Sequence, residues 1–165
     1  DAIKTVDFPP ACGADIVVSC EKAKDLKNGS IYLKPTQFVL GVGCRRDTAF
    51  ENIDRAIRQS LLELQIDISD IDMIASIDVK KDEPGIKEFC DRNRIDFVTY
   101  TADELMAVQG EFSASQFVKE HVGVDNVCER AAVLACSREC NKAGKLVYKK
   151  HKYDGVTVAA AKYPD

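Results

Sequence analysis

The feature that most constrains the fold is a strand, a helix and a second strand in direct succession. The apolar run from Gln37 to Gly43 predicts one strand, and Ile71 to Ile77 predicts the next. Between them, apolar residues from Phe50 onward recur at spacings of three and four, which is one face of a helix. Such crossover units are almost always parallel and right-handed. Both strands therefore end at the same edge of a sheet, where open α/β sheets bind ligands.

Local signals mark where the helices begin. Pro84 suits the first turn of a helix that starts at Asp82 or Glu83. Val127 to Cys140 predicts a longer helix, and small residues on its packing side allow close approach to a sheet: Ala131, Ala132, Ala135 and Cys136. Three capping boxes predict helix starts, at Thr48-Ala49-Phe50-Glu51, Thr101-Ala102-Asp103-Glu104 and Ser113-Ala114-Ser115-Gln116.

The last part of the chain predicts an antiparallel hairpin. Asp154-Gly155 lies between two strand patterns, Leu146 to Tyr153 and Val156 to Tyr163, and is a strong short-range hairpin signal. Asp96 to Tyr100 predicts a third parallel strand. The predicted fold class is therefore α/β, a three-layer αβα sandwich with a mixed β-sheet, in which parallel crossover units come first and the antiparallel hairpin comes last.

Residues 1–36 have a different pattern. They contain two short strand signals, Ala14 to Ser19 and Ile31 to Leu33, and two such strands cannot bury a core alone. They either add to the main sheet or form the tail of a preceding domain or a linker. We place the domain boundary between residues 36 and 37, with the main domain at 37–165.

Composition limits the classes of protein to consider. At 165 residues, 45% of them hydrophobic, the chain can bury a core, and its net charge of −4 favours neither nucleic acid nor a membrane as a partner. Seven cysteines without a Cys-x-x-Cys pair predict reduced thiols, no metal site and a cytoplasmic protein. Because the chain begins at Asp1, we expect a processed protein or a portion of a longer one.

Two polar phrases follow the first two strands of the crossover unit. In Gly41-Val42-Gly43-Cys44-Arg45-Arg46, the glycines expose backbone N–H groups and the arginines offer planar forks for carboxylates. The phrase lacks the glycine pattern of a dinucleotide site or a P-loop. The structural alternative is a strand-to-helix turn with two solvated arginines, and we interpret Cys44 as a structural thiol.

The second phrase, Ala75 to Gly85, is denser in charge. Ser76, Asp78 and Lys80 alternate, so in an extended segment they project from one face. A carboxylate beside Lys80 and Lys81 keeps its charge, and it either positions water or only braces the cations. An ordinary charged loop is the alternative. If both phrases lie at one sheet edge, they predict a site for an anionic molecule.

These two phrases resemble those of a known family. With the weaker motifs Ser115-Gln116-Phe117-Val118, Gly123 to Val127, Glu129-Arg130-Ala131-Ala132 and Val156-Thr157-Val158-Ala159, they resemble the C-terminal domain of the cobalamin-biosynthesis protein CbiG, a cobalt-precorrin-5A hydrolase, and its smaller relative CobE. The resemblance covers residues 37–163. There are two departures: Asp47 stands where the family often has glycine, and Arg130 replaces a small residue.

The resemblance implies an enzyme that opens the δ-lactone of cobalt-precorrin-5A and releases acetaldehyde. The expected ligand is a cobalt-corrinoid intermediate bearing many carboxylates, with cobalt present only as part of that substrate and no other cofactor. The expected partners are the N-terminal and central regions of the same protein. Asp78 or Glu83 is the candidate base. The candidate substrate-binding residues are Gly41, Gly43, Cys44, Arg45, Arg46, Ser76, Lys80, Lys81, Ser115 and Glu129.

Two alternatives remain open at the level of the sequence. One is a non-catalytic, CobE-like domain that binds or carries a corrinoid. The other is a phosphate- or nucleotide-binding α/β module, which depends on the glycine turn alone.

Overall fold

The computed structural model describes residues 16–18, 31–33, 37–113, 124, 126–140 and 142–164. The chain divides into two compact units, residues 1–36 with Asp165, and Gln37–Pro164. In the first unit, β1 (Ile16–Val18) and β2 (Ile31–Leu33) pair with each other in parallel. They form a sheet of two strands. Assignment of residues 1–36 to a preceding domain stays a prediction.

The second unit is built on a mixed five-stranded sheet with the strand order β5-β4-β3-β7-β6. Neighbours β3, β4 and β5 are parallel, whereas β7 is antiparallel to both β3 and β6. This arrangement confirms the predicted α/β fold with parallel units first and a hairpin last. The strands are β3 (Phe38–Cys44), β4 (Ile71–Ile77), β5 (Asp96–Tyr100), β6 (Lys145–Lys152) and β7 (Val156–Lys162).

Helices cover both faces of this sheet. On one face, α1 (Phe50–Leu64) and α2 (Pro84–Asn93) bury Ile53 and Phe89 against alternate sheet residues such as Leu40. On the other face, α3 (Ala102–Ala107) and α4 (Val127–Cys140) bury Leu105 and Ala131 against Val39. Successive strand residues point to opposite faces, so one apolar strand supplies both cores.

The small residues of α4 allow the helix to pack very close to the sheet. Ala131, Ala132, Ala135 and Cys136 are all fully buried. A Cβ added at Gly41 of β3 would lie 1.7 Å from the carbonyl oxygen of Cys128. Gly41 is therefore required for packing, because any side chain at this position would collide with helical backbone.

The predicted helix starts have mixed outcomes. The box at Thr101 is confirmed, since Thr101 Oγ1 accepts the N–H of Glu104 and the Glu104 carboxylate accepts the N–H of Thr101. Pro84 occupies the first turn of α2 as predicted. The box at Thr48 is wrong, because α1 begins at Phe50 and the Thr48 hydroxyl instead donates to the carbonyl of Arg45. Most of the pattern that begins at Ser113 lies outside the described residues.

Two shorter elements connect the strands to their neighbours. Ile68–Asp70 forms a 3-10 turn before β4, and Asp78–Lys80 forms another directly after it. Within the ranges that the structure describes, no helix is both long enough and apolar enough to cross a membrane.

Candidate functional site

A cleft of about 770 Å³ opens at the carboxyl ends of β3 and β4. The β6–β7 hairpin also contributes, because β7 runs antiparallel to β3 and therefore starts at the same edge. The first residues of α4 complete the wall. The lining residues are Gly43, Cys44, Arg45, Arg46, Ile77, Val79, Lys80, Asn126, Val127, Cys128, Lys150, Lys152, Tyr153, Gly155, Val156 and Thr157.

The cleft combines an apolar surface with positive charge. Its cations are Arg45, Arg46, Lys80, Lys150 and Lys152, and none of its described lining residues is an Asp or Glu. Apolar side chains from β4, α4 and β7 also line it, including Ile77, Val127 and Val156. A site of this kind suits a ligand with an apolar body and several anionic groups.

Hydrogen bonds join the loops around the cleft in a chain. The Lys80 Nζ donates to Glu83 Oε2 at 3.0 Å, and Glu83 Oε1 accepts the backbone N–H of Thr48 at 3.1 Å. The Thr48 hydroxyl donates to the Arg45 carbonyl at 2.7 Å, and the Arg45 N–H donates to the Gly155 carbonyl at 3.0 Å. This series of hydrogen bonds fixes the two polar phrases relative to each other and to the hairpin.

The second phrase does not continue as an extended strand. The 3-10 turn at Asp78–Lys80 breaks the alternation, so Ser76, Asp78 and Lys80 do not share one face. Ser76 is fully buried and its hydroxyl donates to the Val42 carbonyl at 2.7 Å. Asp78 is half-buried and Lys81 is exposed, and neither lines the cleft. Of the cations predicted in this phrase, the turn brings Lys80 alone into the cleft.

Glu129 lies beneath the cleft and is fully buried. Its carboxylate accepts the backbone N–H of Ser113 at 2.8 Å, the Ser113 hydroxyl at 2.9 Å and the backbone N–H of Lys150 at 2.6 Å. Burial raises the pKa of Glu129, but the hydrogen bonds from Lys150 and Ser113 outweigh it, so the pKa is lowered. The carboxylate therefore stays ionised and holds surrounding backbone. Ser115, the other candidate of this region, lies outside the described residues.

The thiol of Cys44 lines the cleft but is not activated as a nucleophile. Burial raises its pKa to about 11, although Lys80 acts in the opposite direction. A protonated thiol is a poor nucleophile, which supports the structural interpretation. Cys44, Cys90 and Cys128 are free thiols. In the part of the chain that the structure describes, no three His, Cys, Asp or Glu side chains form a group that could hold a metal ion.

Both departures from the family pattern have a structural account. Asp47 has φ +56°, a left-handed conformation that glycine adopts most easily. Arg130 is buried and donates to the carbonyls of Leu105 and Val108, at 3.3 and 2.8 Å. Its guanidinium also lies 4.5 Å from the centroid of the Phe112 ring. Arg130 thus fastens α4 to the segment that follows α3.

The cleft residues that the hairpin and α4 contribute were not predicted from the sequence. Two features of the sequence indicate them. The basic run Lys149-Lys150-His151-Lys152 directly precedes the predicted turn, and a hairpin whose second strand pairs with β3 has its turn at the ligand-binding edge. In addition, Asn126 and Glu129 have capping-box spacing, and Asn126 Oδ1 accepts the Glu129 N–H at 3.0 Å.

The fold and the cleft together define a class, an α/β domain with a cationic, partly apolar site at the carboxyl edge of its sheet. The chain belongs to the family described as "Cobalamin synthesis G C-terminus", whose sequence profile matches residues 38–161. This match confirms the resemblance noted in the sequence and places the chain in a family of cobalamin biosynthesis.

Curated relatives agree with this assignment. The chain is 32% identical over 146 residues to a protein of Methanocaldococcus jannaschii named "Probable cobalt-precorrin-5A hydrolase", covering 86% of this chain and 45% of that protein. It is 33% identical over 126 residues to the cobalt-precorrin-5A hydrolase of Salmonella typhimurium, covering 76% of this chain and 34% of that enzyme. The chain thus spans between a third and a half of these relatives.

A solved structure shows the same fold. The crystal structure of CobE, a protein from the cobalamin (vitamin B12) biosynthetic pathway, matches with a TM-score of 0.73. The match covers 77% of this chain and 90% of CobE at 24% identity. At this level of identity the likeness concerns the fold alone.

Proposed function

We propose that this chain is the corrinoid-binding portion of a cobalt-precorrin-5A hydrolase and that its cleft holds a cobalt-corrinoid intermediate. One observation carries the proposal: five cations line a partly apolar cleft whose described lining contains no carboxylate. Cobalt arrives with the corrinoid, so the chain itself needs no other cofactor. The N-terminal and central regions of the longer protein are the proposed partners.

The chemistry of the ligand matches that of the cleft. A corrinoid intermediate is an apolar macrocycle with acetate and propionate groups around its rim. Ile77, Val127 and Val156 offer apolar contact to the ring. Arg45 and Arg46 offer forks that bind carboxylates in a bidentate manner, whereas Lys80 offers a compact charge. Each well-formed charged contact is worth about 1.5–3 kcal/mol.

Opening the δ-lactone requires water activated by a base and positive charge near the developing oxyanion. The cleft supplies the positive charge. Glu83, one candidate base, has one carboxylate oxygen bonded to Lys80 and the other to Thr48, and Asp78 lies outside the lining. We therefore infer that Glu83 braces the cations, and that the base which starts lactone opening and acetaldehyde release comes from outside the described lining.

The same observation favours a second candidate function, a CobE-like domain that binds or carries a corrinoid without catalysis. The two candidates differ in what the isolated chain does to cobalt-precorrin-5A. If the 165-residue chain releases acetaldehyde by itself, it is catalytic. If acetaldehyde appears only when the remaining regions are supplied, the chain is a binding domain.

Binding itself is tested by calorimetric titration of the wild-type chain with cobyrinic acid, a cobalt corrinoid with free carboxylates. Its heptamethyl ester is the matched control, because it keeps the macrocycle and removes the charges. We expect cobyrinic acid to bind, with an affinity that falls as salt is raised, and the ester to bind at least tenfold more weakly. Adenosine triphosphate tests the nucleotide alternative. No binding of cobyrinic acid, or tighter binding of the nucleotide, would overturn the proposal.

A further inference from the structure

Strand β6 contains an irregularity beside the cleft. Tyr148 pairs with Ala160 of β7, whereas His151 pairs with Val158, so three steps along β6 match two along β7. The additional residue is a β-bulge, a feature that changes the direction of nearby side chains. As a result, the rings of Tyr148 and His151 stack on one side of the sheet, with centroids 4.1 Å apart.

The bulge turns Lys150 toward the other side of the sheet. Lys150 and Lys152 both line the cleft, and Lys152 pairs with Thr157, which also lines it. With regular alternation, Lys150 would share the face of Tyr148, which packs in the core beneath α1. The bulge therefore lets Lys150 and Lys152, which are two residues apart, both face the cleft while Tyr148 stays in the core.

Glu129 holds this arrangement in place. Its carboxylate accepts the backbone N–H of Lys150 at 2.6 Å. The Lys150 ammonium donates to the carbonyl of Ser113 at 3.3 Å, and the N–H and hydroxyl of Ser113 are themselves bound by Glu129. One buried carboxylate thus fixes both the backbone of Lys150 and the acceptor that orients its charge.

The hairpin lysines are well separated from Lys80. Lys80 follows β4, whereas Lys150 and Lys152 belong to β6, three strand spacings away in the order β4-β3-β7-β6. At about 4.8 Å per spacing, the two strands lie roughly 14 Å apart. A single phosphate cannot reach both groups, whereas a macrocycle with carboxylates around its rim can.

We propose that Lys150 and Lys152 form a second carboxylate subsite, which binds the opposite rim of the ligand from Lys80, and that Glu129 is the positioning residue for Lys150. This inference depends on the proposed function, because the ligand is the same corrinoid. Glu129 does not touch the ligand. It acts through the position of Lys150.

The test compares variants in titrations with cobyrinic acid. We expect Lys150→Met to weaken binding about tenfold or more and to reduce the dependence of affinity on salt, whereas Lys150→Arg keeps most of the affinity. Lys149→Met is the matched control, because Lys149 is exposed on the same strand and does not line the cleft. It changes the net charge equally and should leave the affinity within about twofold of the wild type.

A double-mutant cycle tests the positioning role. Glu129→Gln should weaken binding in the wild-type background but add little in the Lys150→Met background, because its effect passes through Lys150. Lys150→Met keeps the backbone N–H that Glu129 accepts, and thermal denaturation of each variant checks that it is folded before titration. An additive effect of the two substitutions would overturn the positioning role.

The outcomes separate this inference from the proposed function. If the wild-type chain fails to bind cobyrinic acid, the proposed function is wrong. If the wild type binds and Lys150→Met and Lys152→Met bind equally well, the subsite is wrong and the proposed function stands. Equal losses in Lys149→Met and Lys150→Met would show that net charge, and not a subsite, determines the affinity.

Discussion

Lys80 and Glu83 form an ion pair of 3.0 Å at the edge of the cleft, and their side chains are only 15% and 5% exposed. Because the two charges are paired and nearly buried, they position the loops of the cleft, which two exposed charges would not do. Glu83 keeps the ammonium of Lys80 at the cleft and, through Thr48, connects it to the loop that carries Arg45. A buried pair of this kind is costly to break from one side, because the remaining charge is left without a partner.

Glu83→Gln should therefore lower the free energy of unfolding by about 3 kcal/mol, since glutamine can still accept the Thr48 N–H but cannot balance Lys80. Urea denaturation measures the effect. The double variant with Lys80→Met should recover part of the loss, because it removes the unpaired charge. Affinity for cobyrinic acid should fall only modestly, because Lys80 keeps its charge but loses the partner that holds it at the cleft. A loss of lactone opening without any loss of stability would instead identify Glu83 as the base.

Gly41→Ala should destabilise the fold by at least about 3 kcal/mol, because the new Cβ would lie 1.7 Å from the Cys128 carbonyl oxygen. Helix α4 would have to move away from β3 to accommodate it. Gly155→Ala is the comparison, because it has φ +75° but its added Cβ would meet the Arg45 side chain only at an ordinary contact distance of 3.7 Å, and strain alone should cost about 1–2 kcal/mol. Urea denaturation of both variants checks the order, and equal losses would contradict the close packing of α4.

The pKa of Glu129 predicts how stability depends on pH. Its hydrogen bonds hold the pKa in the folded chain below the usual value of 4.5. The stability that its ionisation contributes is therefore complete above this value and is lost as the pH falls through the lower pKa of the folded state. In urea denaturation from pH 7 to pH 3, the difference between wild type and Glu129→Gln should shrink below about pH 4.5. A difference that stays constant with pH would contradict the assignment.

Much of the fold could be predicted from the sequence because its signals are local. Periodicity located the strands and helices, and Asp154-Gly155 located the hairpin. The convergence of Arg45 and Lys80 on one cleft followed from the parallel crossover alone. The failures have long-range causes. The Thr48 hydroxyl was expected to cap α1, but the carbonyl of Arg45 accepts it. At the bulge that places Lys150 in the cleft, the backbone N–H of Lys150 donates to Glu129, which is distant in sequence.

Arg45→Ala is the most direct test of carboxylate binding on the β3 side of the cleft. Arg45 is exposed, so its removal should change the free energy of unfolding by no more than about 0.5 kcal/mol. Lys80 is a less suitable target because its loss leaves Glu83 unpaired. Cobyrinic acid should bind Arg45→Ala ten- to a hundredfold more weakly. Arg55→Ala, an exposed substitution on α1 that does not line the cleft, is the matched control. Equal affinities of Arg45→Ala and the wild type would favour two solvated arginines.

Asp47→Gly should change stability and affinity for separate reasons. Asp47 has φ +56°, where glycine is not strained, so the substitution should leave stability unchanged or raise it by about 1 kcal/mol. It also removes a negative charge beside Arg45 and Arg46. Cobyrinic acid should therefore bind a few times more tightly, and the gain should diminish at high salt.

Asp47→Asn separates the two effects. Asparagine removes the charge but tolerates the left-handed conformation about as well as aspartate, so it should reproduce the gain in affinity without the gain in stability. Titration with cobyrinic acid and thermal denaturation of the three chains measure both quantities. If Asp47→Asn leaves the affinity unchanged while Asp47→Gly raises it, the conformation of the loop determines binding, and the charge of Asp47 does not.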